Sequence, residues 1–140
     1  MARTPFRVEV LTPEGEVFND EVEMVSTHTT VGSIGILAHH QPLLGMLEPA
    51  ELRLHRAEGR IDSYAQGEGF LQVTDTHVLL LVDELQDPAS LDAADLRDRL
   101  RRSEEQLAAA TDGSEDERVA KRDKRRYERW LKIVDGSGAL

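Results

Sequence analysis

Residues 69–82 read Gly69-Phe70-Leu71-Gln72-Val73-Thr74-Asp75-Thr76-His77-Val78-Leu79-Leu80-Leu81-Val82. Two runs rich in strand-forming residues flank Asp75-Thr76, a pair suited to a turn, so Gly69–Thr74 and His77–Val82 read as adjacent strands of a hairpin. The second run is apolar on both faces, which predicts a place near the centre of a core. Working back toward the N-terminus, apolar and polar residues alternate with a period near two. Phe6, Val8 and Val10 interleave with Arg7 and Glu9, Val22 and Met24 with Glu21 and Glu23, and Leu52 and Leu54 with Arg53 and His55. Turn residues recur at short intervals, at Pro13-Glu14-Gly15, Asn19-Asp20, Gly32, Gly35, Glu58-Gly59 and Gly67-Glu68-Gly69. Short strands with turns this frequent predict a β-sandwich or barrel over residues 1–87.

The pattern changes at Gln86-Asp87-Pro88. Proline cannot donate to a ladder, and Ser90 reads as an N-cap before Leu91, with Asp92 favourable to the dipole of the first turn. From there to Ala110 there is no Gly or Pro. Leu96, Leu100 and Leu107 share a narrow face with Ala93 and Ser103, a stripe better suited to helix-on-helix contact than to a thick core. Thr111-Asp112-Gly113-Ser114 ends this helix and starts another: Gly113 suits a left-handed C′ position, and Ser114 with Glu117 reads as a capping box. The second helix is expected to run to about Val134, with Val119, Tyr127, Trp130, Leu131 and Val134 near one side and Gly136-Ser137-Gly138 as a fraying tail. So short a connection forces the helices antiparallel, giving an αα-hairpin over residues 88–140.

Composition limits the functions open to such a chain. Of 140 residues, 39% are hydrophobic and 31% charged, which implies a modest core and much solvated surface. The longest apolar run, Val78–Val82, is strand-sized and far short of the roughly 20 residues that span a bilayer. Met1-Ala2-Arg3-Thr4-Pro5 lacks the apolar segment of a secretory signal, so the default compartment is cytoplasmic. The absence of cysteine excludes disulfides, thiolate clusters and a cysteine nucleophile. The net charge of −10 is concentrated in residues 1–87, whereas residues 88–140 balance. Within that balanced part, Arg118 to Lys132 is strongly cationic.

No constellation of residues reads as a catalytic or metal centre. His28, His39, His40, His55 and His77 show no HxxxH or HExxH spacing, and the adjacent His39 and His40 would point to opposite faces of a strand. Loop histidines bonded to backbone are the plainer reading. Gly32-Ser33-Ile34-Gly35 lacks the lysine and following helix of a phosphate loop. The cationic stretch Lys121-Arg122-Asp123-Lys124-Arg125-Arg126 has three readings: a solvated helix face, a nucleic-acid contact, or a dock for an acidic protein with Trp130 and Tyr127 as anchors. The acidic front half speaks against nucleic acid.

One segment is more specific. Gly32-Ser33-Ile34-Gly35-Ile36-Leu37-Ala38-His39-His40-Gln41-Pro42-Leu43-Leu44, followed by Leu47-Glu48-Pro49, resembles the signature of the epsilon subunit of rotary F-type ATP synthases, G-E-x-G-I-L-P-x-H-x-P-L-L and then L-x-P-G. Gly69-Phe70-Leu71-Gln72-Val73-Thr74-Asp75-Thr76-His77-Val78 is similar to the same family's G-G-F-x-x-V-x-x-N-x-V. Val8–Gly15 and Glu21-Val22 fit its first strands, and the helical hairpin occupies the place of its C-terminal domain.

The resemblance implies an N-terminal β-sandwich followed by a C-terminal antiparallel two-helix hairpin, in a non-catalytic subunit without cofactor or metal. It implies a rotor part that grips the gamma subunit and touches the c-ring. Its place would be peripheral, at the cytoplasmic face of the inner (plasma) membrane, meeting the membrane only through the complex. The hairpin would extend to the alpha and beta catalytic subunits and inhibit ATP hydrolysis in an enzyme that makes ATP from a proton gradient. The implied gamma and c-ring contacts are Ser33, Gly35, Ile36, Leu37, His40, Pro42 and Leu43, with Ser33 standing where the family often has Glu. Ala38 replaces the usual Pro, His39 is an added imidazole, and Ala50 replaces the Gly of L-x-P-G. Arg122, Arg125, Arg126 and Arg129 are the implied contacts with an acidic helical loop of the catalytic subunits. Some bacterial members bind ATP through I/L-D-x-x-R-A; here Leu91 and Asp92 match, but Asp95 puts an anion where a phosphate-pairing cation belongs. The alternative is a free-standing β-sandwich adaptor whose basic helix docks on an acidic protein or nucleic acid.

Overall fold

The computed structural model describes residues 3–136, so the tail expected at Ser137-Gly138 lies outside the described residues. The described residues form ten strands and two α-helices. The strands are β1 (Phe6–Thr12), β2 (Gly15–Val22), β3 (Met24–Thr29), β4 (Gly32–Ile36), β5 (Leu43–Leu47), β6 (Ala50–His55), β7 (Ile61–Gln66), β8 (Gly69–Val73), β9 (His77–Val82) and β10 (Leu85–Gln86). They are followed by α1 (Ala93–Ala109) and α2 (Glu115–Val134).

Alternation dictates the layering. Neighbouring strands run in the order β10-β7-β6-β3-β5-β8-β9-β1-β2, with β4 paired to β3. Between β3 and β5 the pairing is only Thr29 with Leu47, so the sheet folds over at that point into a sandwich. One layer holds β10, β7, β6, β3 and β4; the other holds β5, β8, β9, β1 and β2. Their inward side chains meet in one core: Val25, Ile36, Leu52 and Leu54 from the first layer, Val8, Val10, Leu71 and Leu80 from the second, each fully buried. Each such side chain contributes about 1.5–3 kcal/mol of burial.

The hairpin of residues 69–82 forms as the sequence implies, with Gly69 opposite Val82 and Val73 opposite Val78. Gly69 is required by close approach, since a Cβ there would run into the Leu81 carbonyl and lie 2.8 Å from Val82 Cα. β9 is the middle strand of its layer and runs parallel to β1. Its core position holds for one face only. Val78, Leu80 and Val82 are buried, but Leu81 on the other face is 42% exposed. Strand geometry sends successive side chains to opposite faces, and here the outer face of this layer is left uncovered.

The helices follow their caps. α1 starts later than Ser90, whose hydroxyl donates backward to Asp87 O at 2.7 Å and so is spent on a short 3₁₀ turn over Pro88–Ser90. Asp92 is the N-cap instead, its carboxylate accepting from Ala94 N–H at 2.9 Å. Gly113 takes φ of 78°, and Ser114 Oγ caps α2 by accepting from Glu117 N–H at 3.1 Å. Leu96 and Ser103 are the buried residues of α1, while α2 buries Ala120, Arg126 and Trp130. Leu96 and Trp130 pack with Ala65, seating the hairpin on the first layer at the β7 end.

Leu80→Ala is expected to destabilise the sandwich by about 2–5 kcal/mol. Leu81→Ala, the next residue on the opposite face, should cost below about 1 kcal/mol. Denaturant unfolding of the two variants beside the parent measures the difference.

Candidate functional site

The signature segment forms one margin of the sandwich. Thr29 pairs with Gly32 to close the β3–β4 hairpin, and Val31 at its tip is 95% exposed. On β4, Ser33 lies opposite His28, with Ser33 Oγ and His28 Nδ1 3.2 Å apart. Gly35 lies against Met24, whose Cε would be 3.0 Å from any added Cβ. Ile36 is wholly buried, so its side chain anchors the segment in the core and is withdrawn from any outside contact. Leu37 is exposed, His39 adopts φ of 65°, and His40 Nδ1 lies 2.8 Å from the Gln41 carbonyl. Pro42 is exposed and Leu43 half-buried against the core.

β5 and β8 then present an apolar surface. Leu44 and Met46 point outward as Leu43 and Leu47 point inward, and Met46 pairs with Phe70, which pairs with Leu81. Leu44, Met46, Phe70 and Leu81 are all substantially exposed. A groove of about 490 Å³ runs between this surface and the β3–β4 tip, lined by Thr29, Val31, Ser33, Ile34, Leu43, Leu44, Met46 and Phe70. Of the sequence-derived contacts, the groove gathers Ser33 and Leu43, while Leu37, His40 and Pro42 stand in the adjoining loop. Sequence reasoning passed over Val31, Leu44, Met46 and Phe70. The signal was present: Leu44 and Met46 alternate with core residues, and Phe70 alternates with the core residues Leu71 and Val73.

The second region is the joint between α2 and the sandwich. Arg125 pairs with Glu48 at 3.2 Å. Arg126 is buried, hydrogen-bonded to Asp83, 3.7 Å from Glu84 and stacked 5.7 Å from the Trp130 ring centroid. Arg129 reaches the Pro49 carbonyl at 3.4 Å, and Trp130 Nε1–H donates to Gln66 O at 2.9 Å. Three of the four arginines read from sequence as outward contacts therefore face the chain's own β-sandwich. Arg122 does not; it pairs with its neighbour Asp123 at 2.9 Å.

The nucleotide-motif residues take structural parts. Leu91 packs in the joint and Asp92 caps α1. Asp95 pairs with Arg99 at 2.9 Å. Hydrogen bonding to Tyr127, and next the charge of Asp95, raises Arg99 above its ordinary guanidinium range. Among the described residues no group of three His, Asp or Glu side chains is placed to hold a metal ion. Nor is any described helix long and apolar enough to cross a membrane.

Comparison with known proteins matches this architecture. The family described as ATP synthase, Delta/Epsilon chain, beta-sandwich domain, matches residues 5–88. The chain is 33% identical over 109 residues to the ATP synthase epsilon chain of Desulforudis audaxviator, covering 78% of this chain and 79% of that one. The chain belongs to the ATP synthase delta/epsilon family. It is accordingly an accessory, non-catalytic subunit of the ATP synthase complex. The epsilon chain of Nitrosococcus oceani is 36% identical over 107 residues, 76% of each chain. Among solved structures, a chain of the Euglena gracilis mitochondrial ATP synthase, in an assembly of OSCP, F1 and c-ring, superposes with a TM-score of 0.79 at 18% identity, covering 92% of this chain and 81% of that one. A chain of the Tetrahymena thermophila mitochondrial ATP synthase central stalk and c-ring gives 0.65 at 17% identity, covering 96% and 99%. At those identities the likeness speaks for the fold.

Acid weakens the start of α2. Glu117 accepts from Gly113 N–H at 3.1 Å, and that bond, with Lys121 nearby, holds its carboxyl below the ordinary 4.5. A depressed folded value means the stabilisation is fully present above pH 4.5 and lost as pH falls through the lower folded value. Helical circular dichroism of Glu117→Gln should therefore fall less steeply below pH 4.5 than that of the parent.

Proposed function

We propose that this chain is the epsilon subunit of a bacterial central stalk, with its sandwich fixed to the gamma subunit and the c-ring and its hairpin acting as a brake on ATP hydrolysis. What carries the reading is the uncovered apolar surface of Leu44, Met46 and Phe70, built on the same segments that bear the family signature. Apolar patches of this kind on soluble proteins mark partner surfaces. Gamma covers that surface, and Ser33, Gly35, Leu37, His40, Pro42 and Leu43 border the contact with the c-ring. Ile36 supports it from inside.

The division of labour assigns residues 1–87 to the anchoring sandwich and residues 88–140 to the hairpin. The sandwich has an extensive apolar core, whereas the hairpin is seated by ion pairs and a few apolar contacts, so the hairpin is the part that moves. Released, α2 offers Arg122, Arg125, Arg126 and Arg129 to the acidic surface of the alpha and beta subunits. The subunit sits at the cytoplasmic face of the plasma membrane without touching lipid, in a complex driven by protons. Asp95, already paired with Arg99, leaves ATP without the cation the binding motif supplies, so the hairpin answers to something other than bound nucleotide.

Two experiments test the reading. Phe70→Glu with Met46→Glu should abolish stoichiometric co-purification with gamma; a variant that still co-purifies removes gamma from this face. Truncation after Pro88 should leave assembly intact and raise the ATPase activity of the complex. Unchanged hydrolysis would remove the brake.

A further inference from the structure

The outer face of the first layer carries a further set of polar side chains, none of them part of the apolar groove. Register places them. Ser26 of β3 lies between Gly35 of β4 and Arg53 of β6, and Arg53 lies opposite Ser63 of β7. Along the same face, Met24 lies opposite His55. These residues point outward because Val25, Leu52 and Leu54, which alternate with them, are committed to the core. Gly35, Ser26 and Ser63 add little bulk, so Arg53, His55 and Met24 stand around a shallow floor.

Bonding on this face leaves its cations short of anions. Glu51 is already engaged: one carboxylate oxygen accepts from Arg53 Nε at 2.8 Å and the other from Ser63 Oγ at 2.6 Å. Among the described residues nothing else bonds the Arg53 guanidinium, so its Nη donors stay open. Arg3 reaches the same face from ahead of β1. Among the described residues it meets no carboxylate, and its hydrogen bond goes to Met24 Sδ at 3.2 Å, a weak acceptor. His55 feels both arginines, with its Nε2 3.1 Å from Ser26 Oγ. Burial, and next the charges of Arg3 and Arg53, hold its imidazole below the ordinary 6.5. The contrast is Arg56, which pairs with both Asp20 and Asp62. In a region so rich in acid, this face gathers cations that its own carboxylates leave incompletely paired.

We propose that Arg3, Ser26, Arg53 and His55 form a binding site for a phosphate oxyanion, either free inorganic phosphate or the terminal phosphate of a lipid headgroup. The open Nη edge of Arg53 and the guanidinium of Arg3 supply charge-assisted donors. Ser26 Oγ adds a hydroxyl donor, and His55 Nε2 another once the imidazole is protonated. Those donors converge from different strands, which suits a tetrahedral dianion better than a planar carboxylate. The bound anion also relieves the mutual repulsion of the three cationic groups. The site does not depend on the brake reading.

In the full-length protein, the His55 Cε1–H resonance followed by NMR through a pH titration reads the site directly. Replacing chloride by inorganic phosphate at constant ionic strength should move the His55 titration to higher pH, because a bound anion favours the imidazolium. Arg53→Gln should weaken phosphate binding about tenfold. Arg3→Gln, which leaves the Arg53–Glu51 pair in place, should weaken it several-fold. Arg60→Gln, on the exposed β6–β7 turn, should change nothing. Phosphatidylcholine vesicles containing phosphatidic acid distinguish the two sources. Sedimentation with those vesicles that Arg53→Gln abolishes assigns the site to a headgroup, whereas a His55 response without sedimentation assigns it to free phosphate. A His55 titration indifferent to phosphate, with no sedimentation, overturns the proposal. So does a displacement shared equally by all the histidines, or one retained in both Arg3→Gln and Arg53→Gln.

Discussion

The two curled layers share one apolar core, and every functional feature depends on that burial. Val8, Val10, Leu71 and Leu80 from one layer close against Val25, Ile36, Leu52 and Leu54 from the other. A strand that commits one face inward must send its alternate residues outward, and a slip of one residue would reverse both faces. With Leu80 inside, Leu81 has to be outside; with Leu47 inside, Met46 has to be outside. The apolar outer surface at Met46, Phe70 and Leu81 is therefore the other face of the strands that build the core. A partner surface of this origin is rigid, because the core fixes the backbone that carries it.

The ends of the same strands define the hairpin's seat. Turns at Glu48-Pro49, Gln66-Gly67-Glu68 and Asp83-Glu84 each cross between the layers, β5, β8 and β9 being paired in one and β6, β7 and β10 in the other, and their carboxylates are brought together by the strands rather than by sequence proximity. The contrast with the core is chemical. Core contacts are non-directional and exclude water, while the joint relies on directional arginine contacts around Trp130 and leaves polar atoms unpaired. Such a joint is specific in geometry and modest in strength.

Much of the fold was legible in the sequence. The period-two alternation, the β8–β9 hairpin, the change at Pro88 and the Gly113-Ser114 break all appear where the residues place them. The start of α1 was misread because Ser90 and Asp92 are both competent caps, and a hydrogen bond from Ser90 back to Asp87 decides between them. The site was less legible. Pro42 can be kept out of a strand interior from its type alone, but Ile36 cannot be assigned to the core or the surface without knowing how far the β3–β4 pairing runs. Arg125, Arg126 and Arg129 resemble a solvated cationic face until their partners on distant turns are known.

By itself the sequence determined the local elements and which residues share each face, because strand and helix periodicities and capping chemistry act within a few residues. It also determined the charge imbalance between the acidic β-region and the cationic α2. Only the tertiary structure decided which face of the second layer stays open and which carboxylates meet the arginines. Those outcomes depend on pairings such as Arg126 with Asp83 and Trp130 with Gln66, 43 and 64 residues apart, that arise only when the two layers close and the turns at their ends come together.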